Sequence, residues 1–283
     1  MRPAARVDDE HLCPLNAPTV HVGGPVLPPG AVNTTINGHH AARVTDKAFC
    51  VAPAPDTVRG GLMTLFIEGN PASRFLDKTD VGNIIVGSPN VLYGEWAGGP
   101  LSLFQAQWLY NYMASQHDIP FEYATDGCFA RADRMASYME SLGIDTQKQW
   151  VEANPGTVLH VPIANYDDGM QTGGVTWGWH VAPVVHVAGP GSASTPMVID
   201  PSLSSGGPVT VDQWVGKQTT DPSKVSTWST PPSVYFDRQI TGGSADTMRD
   251  PATTSQNLEE YRKMRANLPP STGRNIPNAP VHV

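Results

Sequence analysis

Several things are scarce in this chain of 283 residues, and each scarcity closes a door. Only 16% of the residues are charged, and 18 basic against 26 acidic side chains leave a formal net charge of -8. No clustered Lys and Arg are present to neutralise phosphates, so a nucleic-acid partner is disfavoured. No run approaches the roughly 18 uninterrupted apolar residues of a membrane-spanning helix, which argues against membrane insertion. The three cysteines, Cys13, Cys50 and Cys128, are odd in number, scattered and without a CxxC pair, which argues against a disulfide framework. The opening "MRPAARVDDEH" lacks the apolar h-region of a secretory signal. The expectation is synthesis in the cytoplasm, with any export by another route.

What is present divides in two. Residues 1–94 are rich in Gly, Pro and Val with short β-like runs, whereas "LSLFQAQWLYNYMASQ" from Leu101 onward has helical spacing. "GEWAGGP" at 94–100 suits a linker. The sequence therefore predicts a first domain over 1–94, a linker over 95–100, a second domain over 101–240 and a polar, Pro-rich, partly disordered tail over 241–283. Within that tail only "SQNLEEYRKMRANL" reads as a helix. The first part repeats itself: "INGHHAARVTDK" at 36–47 matches "IEGNPASRFLDK" at 67–78, with Ile36, Gly38, Ala41, Arg43 and Asp46 aligned to Ile67, Gly69, Ala72, Arg74 and Asp77. "PAARVDD" is a partial third copy, and "GSPNVLYG" at 87–94 resembles the strand of another. Short strands repeated in this way bury their faces only against their neighbours.

These words, with "HVGGPVLPPG" and "DTV", resemble the PAAR-repeat proteins that sharpen the type VI secretion spike. The resemblance implies an all-β cone, a three-sided β-prism seated on a trimeric spike protein, with a structural zinc near its apex held by three His and one Cys. His11, His21 and Cys50 fall on ligand positions. At the fourth position the family has His and this chain has "DKTDVGN", which offers Asp80, a carboxylate that zinc accepts at about 2.0–2.2 Å; Cys13 is the substitute.

The second part poses a chemical question at "ATDGCFARADRMASYMESLG", residues 124–143. Phe129, Ala132, Met135, Ala136, Met139 and Leu142 keep one helical face, Thr125 or Asp126 suits a cap, and Gly143 a stop. Cys128 then lies in the first turn, where unpaired backbone N–H groups favour an anion, and the thiolate is the nucleophilic form of cysteine. Its partners would be a base and an orienting group. "VTWGWHVAPVVHV" reads as one strand carrying His180, and "TPMVIDPSL" as another ending in Asp200. Each residue has a plainer reading: a small buried hydrophobe, a satisfied core histidine and a turn-shaping aspartate. His186 shares His180's face by period 2 and is the competing base. Trp177 and Trp179 would face away from His180 as strand core, Asp126 reads as a cap, and His39, His40, His117 and His160 carry no catalytic case.

"IPFEYATDGCFARADRM", "TWGWHVAPVV", "VIDPSL" and "PVTVDQWV", in that order over residues 100–218, resemble bacterial protein-glutamine glutaminases. The implied fold is an α+β papain- or transglutaminase-like Cys-His-Asp domain needing no cofactor for catalysis, with Cys128 as nucleophile, His180 as acid and base and Asp200 as its orienting partner. Joined to a spike tip, it implies a secreted effector and toxin, delivered by the type VI system into a target cell. There it would deamidate glutamine or asparagine in a protein substrate, and an immunity protein would block Cys128. The rival readings are a cysteine peptidase or transglutaminase on the same triad, and a non-enzymatic spike tip with an inactive cargo domain.

Overall fold

The computed structural model describes residues 2–14, 22–51, 55–94, 99–123, 125–167, 171–191 and 193–267. Two compact units divide the chain, residues 1–98 with 138–145, and residues 99–137 with 146–283.

The first unit is strand-rich and repetitive. β1 (Ala31–Ile36) and β2 (His39–Ala41) form one hairpin, β3 (Leu62–Ile67) and β4 (Asn70–Ala72) another. Each closes through two residues at positive φ, Asn37 and Gly38 at 53° and 83°, Glu68 and Gly69 at 47° and 83°, as the right-handed strand twist demands of a two-residue loop. Even the irregularity repeats, since Ala31 pairs with Ala41 and Leu62 with Ala72 ahead of the same break in register. The repeat in the sequence is thus a repeat in the structure.

An Arg-x-x-Asp turn follows each copy. The Arg6, Arg43 and Arg74 backbone N–H groups donate to Asp9, Asp46 and Asp77 at 2.7, 2.7 and 2.9 Å. The guanidinium groups pair with the same carboxylates. The residue before each aspartate, Asp8, Thr45 or Leu76, is left-handed at φ of 72°, 81° and 66°. That conformation costs of order 1–3 kcal/mol in a residue with a Cβ, and the charge-assisted bonds of the turn offset it. Isolated bridges join Arg6 to Ala41, Arg43 to Ala72 and Arg74 to Ala4, so each copy bridges the next and the third returns to the first. Where the copies meet, Ala4, Ala31, Ala41 and Ala72 are fully buried, with Ile36 and Ile67 beside them.

The second unit opens with α1 (Leu103–Ala114), started by a reciprocal capping box between Ser102 and Gln105. α2 (Cys128–Ser141) follows, its residues from 138 onward being counted with the first unit. It stops as the sequence predicts: Gly143 is left-handed at φ 74°, and the Gly143 and Ile144 N–H groups close on Glu140 and Met139. The remaining strands are β5 (Gln147–Ala153), β6 (Leu159–Asp167), β7 (Thr172–Trp177), β8 (Trp179–Ala188), β9 (Ser194–Val198), β10 (Val209–Thr210) and β11 (Val225–Thr230). Five of them make an antiparallel sheet in the order β10-β9-β8-β5-β11, while β6 and β7 pair separately. β8 is central and buried on both faces from His180 to Val185, which explains its near-continuous apolar sequence.

Alternation along β5 and β8 divides the core. Val151, Ala182 and Val184 face β6, β7 and the Trp214 and Val215 side chains of α3 (Val211–Gly216). Trp150 and Val181 face the other way, against Cys128, Phe129 and Ala132 of α2. Trp150, fully buried, satisfies its indole N–H on Thr230 Oγ1 at 2.9 Å.

One sequence expectation changes here. "VTWGWHVAPVVHV" is two strands broken at Gly178, so Trp177 belongs to β7 and Trp179 to β8. In the tail, the one expected helix is present and begins earlier than the stretch read from sequence. α4 (Arg238–Thr241) is followed by α5 (Pro251–Ala266), whose Leu258 is buried in the cluster containing Cys128. Asp133 of α2 binds Lys148 Nζ at 2.8 Å, Arg249 Nε at 2.7 Å and Thr254 Oγ1 at 2.8 Å, tying the segment down. Residues 268–283 of the predicted disordered tail lie outside the described residues.

Candidate active site

Cys128 begins α2, and the segment before it is held from several sides. Gly127 is left-handed at φ 83° and its carbonyl accepts from the Arg131 N–H at 3.0 Å, which makes it the residue that starts the helix. A Cβ there would lie 2.6 Å from the Tyr261 ring, so only glycine fits. The buried Arg131 turns back on the loop, donating to the Tyr123 and Asp126 carbonyls at 2.8 and 2.7 Å. Asp126, expected as a cap, accepts the Gly127 N–H on Oδ1 at 2.6 Å. From β7, Trp177 Nε1 donates to the Thr125 carbonyl at 3.0 Å.

His180 and Asp200 meet across the sheet. His180 Nε2 lies 2.9 Å from Asp200 Oδ2, both side chains being 3% exposed or less. Trp214 Nε1 donates to that same oxygen at 2.8 Å. The other oxygen accepts the Ser202 N–H at 3.0 Å and a short bond from the Ser202 hydroxyl. Burial alone would push Asp200 up, but His180, Ser202 and Trp214 together hold its carboxyl well below the usual carboxylate range.

His180 Nδ1 is buried and makes no aligned hydrogen bond. With Nε2 committed to Asp200, Nδ1 is the ring atom left for Cys128. Burial opposes the imidazolium, yet Asp200 on one side and the Cys128 sulfur on the other raise the His180 pKa to about 9. Trp177 stacks on the imidazole with centroids 5.2 Å apart, and Trp214 lies 5.4 Å away. Cys128 is itself only 6% exposed. A buried sulfur, an imidazolium and a carboxylate in series can perform acyl transfer: attack on a carbonyl carbon, protonation of a leaving group and activation of water.

The three residues expected from sequence are thus brought together. His186, the competing base, is exposed and lies six residues along β8, about 20 Å from His180 at strand rise. Three participants escape sequence reasoning. Trp177 faces away from His180 only if one strand runs through Gly178, and the break there turns it onto the imidazole. Trp214 and Ser202 stand in the words "PVTVDQWV" and "VIDPSL" without roles, though an indole or hydroxyl near a buried carboxylate is the kind of donor it requires.

The expected metal ligands are differently placed. His11 is buried, with Nδ1 2.8 Å from the Gly24 carbonyl and Nε2 3.2 Å from Asp56 Oδ2 but without an aligned hydrogen bond. Cys50 and Cys13 are buried thiols that interact with each other. Burial, then Cys13 and Asp56, push Cys50 up to about 11. The Asp80 carboxylate is bound by Arg59 Nε at 2.5 Å, and the carboxylate beside His11 is that of Asp56. His21 lies outside the described residues. Among the described residues no three His, Cys, Asp or Glu side chains are grouped to hold a metal ion.

Comparison with known proteins finds a likeness for each part. The family model described as the PAAR motif matches residues 16–87, and the one described as glutaminase matches residues 106–218. No curated protein matches the chain. Among solved structures it is similar to a crystal structure of protein-glutaminase, with 24% identity over 62% of this chain and 92% of that one and a TM-score of 0.46. It is similar also to the protein-glutaminase of Chryseobacterium proteolyticum determined by NMR, with 22% identity, 63% and 96% coverage and a TM-score of 0.46. A third is pro-protein-glutaminase, with 20% identity, 84% and 91% coverage and a TM-score of 0.45. Segment by segment, the chain matches the PAAR-motif family over residues 16–87 and the glutaminase family over residues 106–218.

Proposed function

We propose that the chain is a type VI secretion effector whose C-terminal domain deamidates glutamine side chains of a protein in the struck cell. The observation that supports it is that His180 is hydrogen-bonded through Nε2 to Asp200 and influenced by the Cys128 sulfur, within a segment that matches the glutaminase family. In this reading the Cys128 sulfur attacks the carboxamide carbon of a glutamine, forming the C–S bond. The oxyanion meets the Cys128 backbone N–H, one of the first-turn donors that a helix leaves unpaired. His180 passes its proton to the departing nitrogen, and ammonia leaves with the C–N bond. His180, now neutral, takes a proton from water. The resulting hydroxide attacks the thioester, releases glutamate and restores the sulfur. Asp200 keeps the imidazole in the tautomer that serves both steps and stabilises its cation.

The PAAR segment, seated as a three-sided cone on a trimeric spike protein, would carry the enzyme out, and an immunity protein covering Cys128 would protect the producing cell. Zinc in the cone would be held by His11 and Cys50, with Cys13 at hand. One imidazole and two thiols are a donor set that zinc favours, and the unaligned, buried His11 Nε2 is suited to a metal. Its contribution would be to the stability of a thin core.

Incubating the full chain with casein, then measuring ammonia and the mass of tryptic peptides, tests the enzyme. Ammonia release with amide-to-acid conversion, lost in Cys128→Ala, is expected. Cleaved chains would mean a peptidase, cross-links a transglutaminase, and no change in any peptide would overturn the enzymatic reading.

A further inference from the structure

The glutaminase match ends at residue 218, yet the segment before the nucleophile is gripped by a residue well beyond that end. Tyr261 of α5 donates its hydroxyl to Asp126 Oδ2 at 3.1 Å. Its ring stacks on Tyr123, with centroids 5.4 Å apart and planes 22° apart. It meets Phe129 edge-on at 6.2 Å and fills the space that a side chain at 127 would need. Tyr123, Asp126, Gly127 and Phe129 are all close neighbours of Cys128 in the chain. Below the ring, Leu258 is buried in the cluster containing Cys128, and Arg262 donates to the Asp118 carbonyl at 3.1 Å.

We propose that α5 completes the catalytic site and that Tyr261 is a positioning residue, fixing the Asp126 carboxylate so that the Asp126–Gly127 turn presents Cys128 to His180. This rests on Cys128 being the nucleophile. The Asp126 carboxylate has two oxygens with two tasks: Oδ1 shapes the turn through the Gly127 N–H, and Oδ2 is held outward by the phenol. Without the hydroxyl, Oδ2 loses this donor and the turn that carries Cys128 loses one of its restraints. Burial first, then the charges of Asp126 and Cys128, keep the Tyr261 proton in place, so the bond persists wherever the enzyme works. A second consequence is that a chain cut after residue 240 would lose the clamp while keeping every residue of the glutaminase match.

The test uses the full chain carrying Tyr261→Phe, Asp126→Ala or both, with far-UV circular dichroism and thermal melting as controls. The ring stays in Tyr261→Phe, so the stacking and the filled space at Gly127 survive and only the hydroxyl is lost. Two readouts are taken: kcat and KM for ammonia release from casein, and the pH dependence of Cys128 alkylation by iodoacetamide. Tyr261→Phe is expected to lower kcat about tenfold with KM little changed, the scale of a small misplacement of a reacting group, and to change the rate and pH profile of alkylation. The double variant should be no worse than Asp126→Ala alone, because the hydroxyl acts through that carboxylate. If Tyr261→Phe alkylates and turns over like the wild type, the proposal is overturned. If casein is not deamidated by any form but alkylation still moves, the positioning role stands and the deamidase reading falls.

Discussion

Trp214 and His180 share one oxygen of Asp200, approaching Oδ2 at 2.8 and 2.9 Å. The indole therefore does for the carboxylate what the carboxylate does for the imidazole. It fixes the direction in which the next group faces, so the string of contacts that ends at Cys128 begins on α3.

Replacing Trp214 by Phe keeps most of the buried ring and removes the donor. Asp200 Oδ2 then rests on His180 alone, and loss of a hydrogen bond to a charged group costs about 1.5–3 kcal/mol. The expected result is a fall of about tenfold or more in kcat and a lower melting temperature, read by ammonia release and calorimetry. Asp200→Asn should be far worse for kcat at similar stability, since the amide supports the wrong tautomer of His180.

The titration of His180 sets two pH limits of different origin. The folded protein holds the imidazole proton up to about 9, against about 6.5 in an unfolded chain. A group whose pKa is raised by folding stabilises the fold fully below the unfolded value and loses that contribution as pH rises through the folded one. Between about pH 6.5 and 9 a contribution on the order of 3 kcal/mol should fade. Melting temperatures of wild type and His180→Gln should therefore converge as pH rises through that window. Turnover should fall near pH 9 as well, because the proton destined for ammonia is the one being lost. Alkylation of Cys128 by iodoacetamide, which needs no acid, should not fall there.

Where the sequence was legible, the chemistry left a local pattern. The repeat of the first unit was visible because two-residue turns at positive φ admit few side chains, and Asn37-Gly38 and Glu68-Gly69 recur with their flanking apolar residues. The start of α2 was visible because Thr, Asp and Gly before an apolar helical face announce a helix. What was missed is non-local or negative. Nothing near Tyr261 says that it packs on Gly127, which lies far back in the chain; the pairing exists only because Leu258 and Thr254 are buried on α2. Asp56 took the place beside His11 because the backbone of the first unit brings it there, while Asp80, nearer to the family pattern, was taken by Arg59. At the C-terminal end the helix itself was legible from its spacing, but not that one buried leucine and a few buried polar bonds dock it.

Metal content separates the two readings of the first unit. If zinc belongs there, the purified chain should carry about one equivalent by atomic emission, as a single four-ligand site requires, and Cys50→Ser should lose it together with several degrees of melting temperature. Arg59→Ala, which releases the Asp80 carboxylate, should leave the metal content unchanged. A chain that is free of zinc after refolding in its presence would mean that Asp56 satisfies His11 by itself.

Asp133 offers the sharpest test of how the C-terminal segment is held. Its carboxylate, 1% exposed, binds Lys148, Arg249 and Thr254 at once, and Lys148 Nζ has the Val234 carbonyl as a further partner. Removing the carboxylate in Asp133→Ala strands a buried ammonium, which typically costs about 3–5 kcal/mol. Lys148→Met leaves Asp133 paired with Arg249 and keeps the apolar stem of the lysine, so its cost should be smaller. The double variant removes both members of the pair, and its cost should fall short of the sum of the two single costs by about 1–3 kcal/mol, the coupling of residues in one network. Urea denaturation of the three proteins measures this directly, and additive costs would mean that Lys148 and Asp133 do not stabilise each other.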